Sequence, residues 1–401
     1  MLGEEIKKLV EEYYEDTIKH RRHLHQYPEL SFQEKRTSDY IANQLASLGI
    51  SFERKADTGI IAILKGTNAS LHAPKVIALR ADMDALPIQE MNDVAYKSRN
   101  SGVMHACGHD VHTASLLSVV RILQRLKDEF SGTIKFIFQP AEEKIPGGAK
   151  KMIEEGVLEN PSPKYVLGQH TMPELQVGKV GFHSGNYMAS SDELYITVKG
   201  KGGHGAMPHL NIDPVTIACQ LISSLQQVIS RMAKPQVSSA LSFGKLIADG
   251  AANVIPDEVK IEGTFRTTDE DWRQRAHEKI ERLIYSTIEG FGASCDFELR
   301  KGYPVLFNDN VLTKEMKAHA ASFLGRENVV ELDTWMAAED FAYYSKERPS
   351  CFYRLGTGNK EKGINSALHT PTFDVDEKSL KVSIGLMTYL TLKKLKENDR
   401  D

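Results

Sequence analysis

Cysteine is scarce in this chain. Its 401 residues hold four, at positions 107, 219, 295 and 351, too few and too far apart for a disulfide framework. Cys219 falls in the apolar pattern of a helix and Cys351 opens an apolar run, so both read as small core residues. Long hydrophobic runs are missing as well. None approaches the ~20 residues that span a bilayer, and the charged N-terminus, MLGEEIKKLVEEYYED, has no apolar centre of the signal-peptide kind. These absences lead us to expect a soluble, cytoplasmic protein with no membrane partner. There is no basic block either. Lysine and arginine number 50 against 54 acidic residues, with the signs interspersed, which argues against nucleic acid as a partner. Internal repeats and low-complexity segments are not evident. What the chain does have is core-forming material: 41% hydrophobic residues exclude global disorder. The length predicts two or three domains.

Apolar spacing sets out the elements. Ile6, Leu9, Val10, Tyr13, Tyr14 and Ile18 recur at helical intervals over residues 4–22. A second helix follows Pro28, with Tyr40, Ile41, Leu45 and Leu48 on one face and Gly49 as its stop. Strand-length apolar runs at 60–64, 76–79, 133–138 and 165–167 then alternate with helices at 111–126, with Asp110 as N-cap, and 147–155. This alternation predicts an α/β fold, with a mainly parallel mixed sheet and helices on both faces. The pattern changes near Ser184. Alternating strands at 193–198, 238–247, 258–267 and 296–300, with helices at 213–232 and 270–291, read as β-α-β-β-α-β, a ferredoxin-like α+β insertion. The α/β pattern resumes with a strand at 352–355 and a helix at 379–396. The expected division is a first α/β part over 1–184, an inserted domain over 185–300 and a second α/β part over 301–401.

The stretch M-H-A-C-G-H-D-V-H-T, residues 104–113, packs three histidines, one cysteine and one aspartate into ten positions. Imidazole, thiolate and carboxylate are the groups that bind borderline transition metals. Further groups of this kind follow the strand-like runs: Asp82 and Asp84, Glu142 and Glu143, His170, and His369 beyond a glycine-containing loop. Open α/β sheets bind ligands at the carboxyl ends of their strands, so a parallel sheet would gather these groups at one edge. Asp82 and Asp84, two apart on an extended segment, face the same side. Taken singly, an acidic pair is commonly a solvated helix start and a lone histidine commonly packs. Their shared placement after strands is what points to one site. His20, His23 and His25 sit among Arg21 and Arg22, which disfavour a cation, and read as structural.

The motifs R-A-D-M-D-A-L-P, M-H-A-C-G-H-D-V-H-T-A, Q-P-A-E-E with its following G-G-A, G-K-G-G-H-G-A-M-P-H and A-A-E-D-F-A-Y-Y resemble those of the aminoacylase-type metallohydrolases. They stand in the family's order and cover nearly the whole chain. The nearest branch is that of hippurate hydrolases, indole-acetyl-amino-acid hydrolases and N-acetyl-diaminopimelate deacetylases. The resemblance implies two divalent metal ions per subunit (zinc, manganese, cobalt or nickel) on Cys107, His109, Glu143, His170 and His369. Cys107 would bridge the ions where other branches use an aspartate. Glu142 would be the general base and Asp84 a carboxylate that orients a ligand imidazole. Asp82 falls where other branches have a histidine ligand, which leaves its role open. Asp110 stays a helix cap, and His105 and His112 packing or supporting residues.

The inserted domain resembles the family's lid and dimerisation domain. There His204 would stabilise the oxyanion in the partner subunit's site, and Asn253 and Arg266 would hold the substrate's carboxylate. The segment K-I-P-G-G-A is shorter than the glycine-rich run common in this branch. The expected activity is hydrolysis of the amide bond of a small N-acyl amino acid, by a homodimer or higher homo-oligomer. A dipeptidase or carboxypeptidase is the alternative within the same chemistry. A metal-binding homologue without catalysis would have lost the base or a ligand, and this chain keeps both.

Overall fold

The computed structural model describes residues 2–68 and 75–397. The chain divides into two compact units, one of residues 1–185, 307–333 and 340–401 and one of residues 186–306 and 334–339.

The first unit opens with the helix α1 (Leu2–Gln26), whose Ile6, Leu9, Val10 and Tyr13 are buried at the spacing the sequence sets. Helix α2 (Lys35–Ser47) ends just before Gly49, which takes a left-handed φ of 68° as a helix stop should. The sheet is built from β1 (Phe52–Lys55), β2 (Gly59–Lys65), β3 (Val76–Asp82), β4 (Thr133–Gln139), β5 (Tyr165–Gln176), β6 (Val180–Phe182), β7 (Val329–Glu331) and β8 (Ser350–Gly358). Its order is β1-β2-β4-β3-β5-β8-β6-β7. The central neighbours β4, β3, β5 and β8 run parallel, while β1, β2 and the β6–β8 pair add antiparallel edges. Every residue of β8 is buried, and all but the first residue of β3 and of β4. Strands covered on both faces show this pattern. Helix α3 (His109–Arg125) packs on β3 beneath α1 and α5 (Ser379–Lys396), while α4 (Gly148–Glu154) packs on β4.

In this unit two expectations need correction. Asp110 is not the N-cap of α3; that position is Gly108, at φ 85°, and Asp110 lies buried in the first turn. His170 does not follow its strand, because β5 continues to Gln176 and holds His170 within it.

The second unit is a four-stranded antiparallel sheet. In chain order its strands are Asp192–Lys199, Ser239–Ile247, Glu258–Thr267 and Ser294–Lys301, and they lie side by side as second, third, first, fourth. Helices Pro214–Gln227 and Glu270–Gly290 pack on each other and on this sheet. The strand Asp192–Lys199 alternates buried Leu194, Ile196 and Val198 with half-exposed residues, as one covered face requires. The reading of Cys219 as core fails. It is exposed on its helix, because Ile217, Ala218, Leu221 and Leu225 form the buried stripe and leave Cys219 off it.

Candidate metal centre

The centre forms where β3, β4 and β5 deliver their chemistry beside the start of α3. Gly108 makes the turn into α3 at a left-handed φ, and a Cβ there would meet Thr171 Oγ1 at 2.5 Å, so only glycine fits. The turn sets Cys107 and His109 on either side. Cys107 Sγ lies 3.4 Å from His170 Nε2 and 3.3 Å from His369 Nε2. His369 Nε2 is 3.2 Å from Glu143 Oε1, which is 4.0 Å from His109 Nε2. His369 reaches the cluster from a left-handed backbone at φ 61°, and its amide donates to Ala106 O at 2.8 Å. Donor atoms of Cys107, His109 and His170 lie within 4.8 Å of one another, and so do those of Cys107, Glu143 and His369. Cys107 is the residue common to both groups. Glu142 forms a further group of this kind with His109 and Glu143.

The surroundings fix which ring nitrogens face inward. His109 Nδ1 can only donate, since its neighbours are Asp84 O at 2.9 Å and Asp84 Oδ1 at 3.2 Å. That leaves the Nε2 lone pair for the centre. His170 Nδ1 likewise donates to Thr171 O at 2.8 Å. His112 Nε2 accepts from the Thr171 amide at 2.9 Å, so its Nδ1 donates to Asp82 Oδ1 at 2.5 Å. Asp84 does more than orient an imidazole. It also accepts the backbone amides of Glu142 and Glu143, each at 3.0 Å, and the Ser31 hydroxyl at 2.6 Å.

The donor set suits a divalent cation. His109 Nε2 is buried and has no hydrogen-bond partner, a costly condition that a cation would relieve. Hydrogen bonds to Cys107 and Glu143 push His369 up to about 10, so this pair of acceptors already attracts positive charge. Burial, with Glu143 nearby, raises the Cys107 thiol. His170 is driven well below its ordinary value, first by burial and then by Arg354. A neutral imidazole is the form that binds metal.

Asp82 is held by Arg80 and His112, and its Oδ2 lies 3.6 Å from His109 Nε2. Arg80 grips it at 2.6 Å, and the same guanidinium reaches Gln139 at 2.9 Å and Asp340 at 2.8 Å. These groups are fully buried, so the arrangement is one hydrogen-bonded unit and not a set of separable salt bridges. Asp340 belongs to the A-A-E-D-F motif, and sequence alone shows no partner for it. Asp110, expected as a helix cap, is a second buried anion. Arg21 Nε donates to it at 2.9 Å and His25 Nδ1 at 2.8 Å, which gives the R-R-H-L-H segment its structural part. His105 is buried with neither ring nitrogen bonded, and burial lowers it to about 4.

The remaining predicted residues lie in the second unit. His204 pairs across a short ribbon with Val254, next to Asn253, whose carbonyl accepts from Gly205 N at 2.8 Å. The His204 ring is exposed, and its Nδ1 accepts from Ala206 N at 3.0 Å. Arg266 is half-buried on Glu258–Thr267 and donates to Thr264 Oγ1 at 3.3 Å.

Imidazole, thiolate and carboxylate converging beside an α/β sheet, with a further carboxylate adjacent, define a metal-binding hydrolase. The chain belongs to Peptidase family M20/M25/M40, whose model matches residues 78–393, and it acts on C–N amide bonds. It is 44% identical over 309 residues to an N-acyl-L-amino acid amidohydrolase from Geobacillus stearothermophilus, covering 77% of this chain and 82% of that one. It is 37% identical to thermostable carboxypeptidase 2 of Saccharolobus solfataricus, covering 98% of both. Among solved structures it resembles the Bacillus subtilis protein YXEP, described as a dinuclear metal binding peptidase from the M20 family. That match has a TM-score of 0.82 and 36% identity, over 96% of this chain and 99% of that one. The sequence resemblance to the aminoacylase-type metallohydrolases and the expected fold class are both borne out.

Proposed function

We propose that this chain is an N-acyl-amino-acid amidohydrolase in which Glu142 is the general base. The observation that carries this is the Glu142 carboxylate beside the His109 and Glu143 donors, its backbone held by Asp84. Cys107, His109, Glu143, His170 and His369 would hold two divalent ions, zinc, manganese, cobalt or nickel, which would polarise the amide carbonyl and lower the pKa of the attacking water. Glu142 takes that water's proton and returns it to the leaving nitrogen. Asp84 keeps the Glu142–Glu143 backbone in place and fixes the His109 tautomer. His204 stabilises the oxyanion, while Asn253 and the Arg266 guanidinium hold the substrate's carboxylate. The inserted unit serves as lid and as the contact between two subunits. The name of the Geobacillus relative supports the acyl-amino-acid substrate. That of the Saccharolobus relative supports a second reading, carboxypeptidase action on small peptides.

A substrate panel separates the two. N-acetyl and N-benzoyl amino acids should exceed the matching dipeptides in kcat/KM by at least about tenfold, a difference of ~1.4 kcal/mol in transition-state binding. Dipeptides winning by that margin would establish the second reading. His204→Ala should lower kcat by about 10²–10³-fold, the scale of one lost oxyanion donor. Light scattering should show a dimer; a fully active monomer would refute the subunit-crossing role of His204.

A further inference from the structure

We infer that Glu34 is a positioning residue for the hydrolytic site, holding the left-handed turn at Ala141 that aims Glu142. This rests on the reading of Glu142 as the base.

Glu34 sits at the N-cap position of α2, yet its side chain makes no capping bond. Glu29 does that work: its carboxylate accepts the amides of Arg36 at 3.1 Å and Thr37 at 2.8 Å. Glu34 turns inward instead and is fully buried. Its Oε1 accepts the amide of Ala141 at 2.9 Å and the amide of Phe32 at 2.9 Å, while Oε2 accepts the Thr58 hydroxyl at 2.7 Å. Both amides come from strained backbone. Ala141 has φ 50° and Phe32 φ 64°, and neither is glycine. A side chain with a Cβ persists in the left-handed region when its surroundings over-determine it. One carboxylate oxygen thus secures two such residues, and one of them directly precedes Glu142 and Glu143.

The hold is shared. Asp84 accepts the next two amides along, those of Glu142 and Glu143, and also the hydroxyl of Ser31. Gly148 N closes the turn from the other side, donating to Ala141 O at 2.9 Å. The segment Ser31–Glu34 therefore clasps the start of the Glu142 loop through two buried carboxylates. Without Glu34, Ala141 has lost the acceptor that fixes its φ, and a change there swings Glu142. Displacements of ~1 Å cost about 10²-fold in rate.

What Glu34 supplies is an acceptor oxygen at a set reach, not a charge. No lysine or arginine pairs with it among the described residues. Burial and the nearby Asp84 carboxylate raise it to about 7. Glutamine keeps the oxygen and the reach, whereas aspartate keeps the charge and loses one methylene.

The test compares Glu34→Ala, Glu34→Asp and Glu34→Gln in the metal-loaded enzyme, with kcat, KM and metal per subunit measured. Ala and Asp should lower kcat by about 10–100-fold, with KM within about threefold of wild type and metal content unchanged. Gln should stay within about fivefold of wild type in kcat. If Glu34→Ala does not fold, the Asp and Gln pair still decides. Wild-type kcat in Ala or Asp would overturn the inference, and so would Asp active with Gln inactive, or loss of metal as the cause of lost rate. Glu142→Gln assayed alongside keeps the two readings apart. If that variant is active, the base assignment falls; if it is inactive while Glu34→Ala is unimpaired, only the clasp falls.

Discussion

Glu142→Gln is expected to lose turnover by about 10²–10⁴-fold, the usual contribution of a positioned general base, while keeping its full complement of metal. Glutamine preserves the shape of the side chain, and the Asp84 bond goes to the Glu142 backbone, so the loop should stay in place. Glu142 belongs to neither of the Cys107-centred donor groups, which is why metal content should hold. KM should change little, because the lost interaction is one made in the transition state. Kinetics with elemental analysis on the same preparation reads both quantities. Near-wild-type turnover would refute the base assignment. Low turnover with low metal would instead make Glu142 a ligand.

Glu142 and its neighbours were visible in the sequence because strand ends can be read from apolar runs, and chemistry-bearing residues followed several of them. Donor atoms of Cys107, His109 and His170 lie within reach of one another, and so do those of Cys107, Glu143 and His369, although His170 lies inside its strand and not after it. What stayed hidden depends on contacts far apart in the chain. Asp110 reads locally as a helix cap because aspartate favours caps. Its true partner is Arg21, 89 residues away, and the left-handed Gly108 takes the cap position. Glu34 likewise reads as an ordinary polar residue before a helix, and its partner Ala141 is 107 residues distant. Cys219 was misplaced for another reason. An amphipathic helix with apolar residues around its buried stripe has no sharp boundary in sequence, and only packing shows which residues the sheet covers. Asp82 was ambiguous for want of Arg80 and His112, whose side chains settle where it points.

Cys107→Ala should have a wider effect than the loss of either His170 or His369. Cys107 is the donor common to the His109–His170 group and the Glu143–His369 group, so its loss weakens both. His170→Ala or His369→Ala removes a donor from one group only and should spare part of the metal. Bound metal in Cys107→Ala should therefore fall below that of either histidine variant, with kcat down by more than about 10³-fold, since polarisation of water and carbonyl is lost together. Stability reports the same event independently. Each tenfold loss of metal affinity removes ~1.4 kcal/mol of ligand-linked stability under saturating metal. Wild-type protein should melt at a lower temperature after chelation, whereas Cys107→Ala should barely respond to the chelator. Metal binding must also expel protons. In the metal-free protein the His369 pKa, raised to about 10, keeps that imidazole protonated at neutral pH, and the raised Cys107 keeps its thiol. Ligation needs the opposite forms, so affinity should rise with pH and calorimetry should record proton release into buffer. Normal two-metal occupancy in Cys107→Ala, with an undiminished chelator response, would exclude Cys107 as a ligand and leave the centre to the histidines and Glu143.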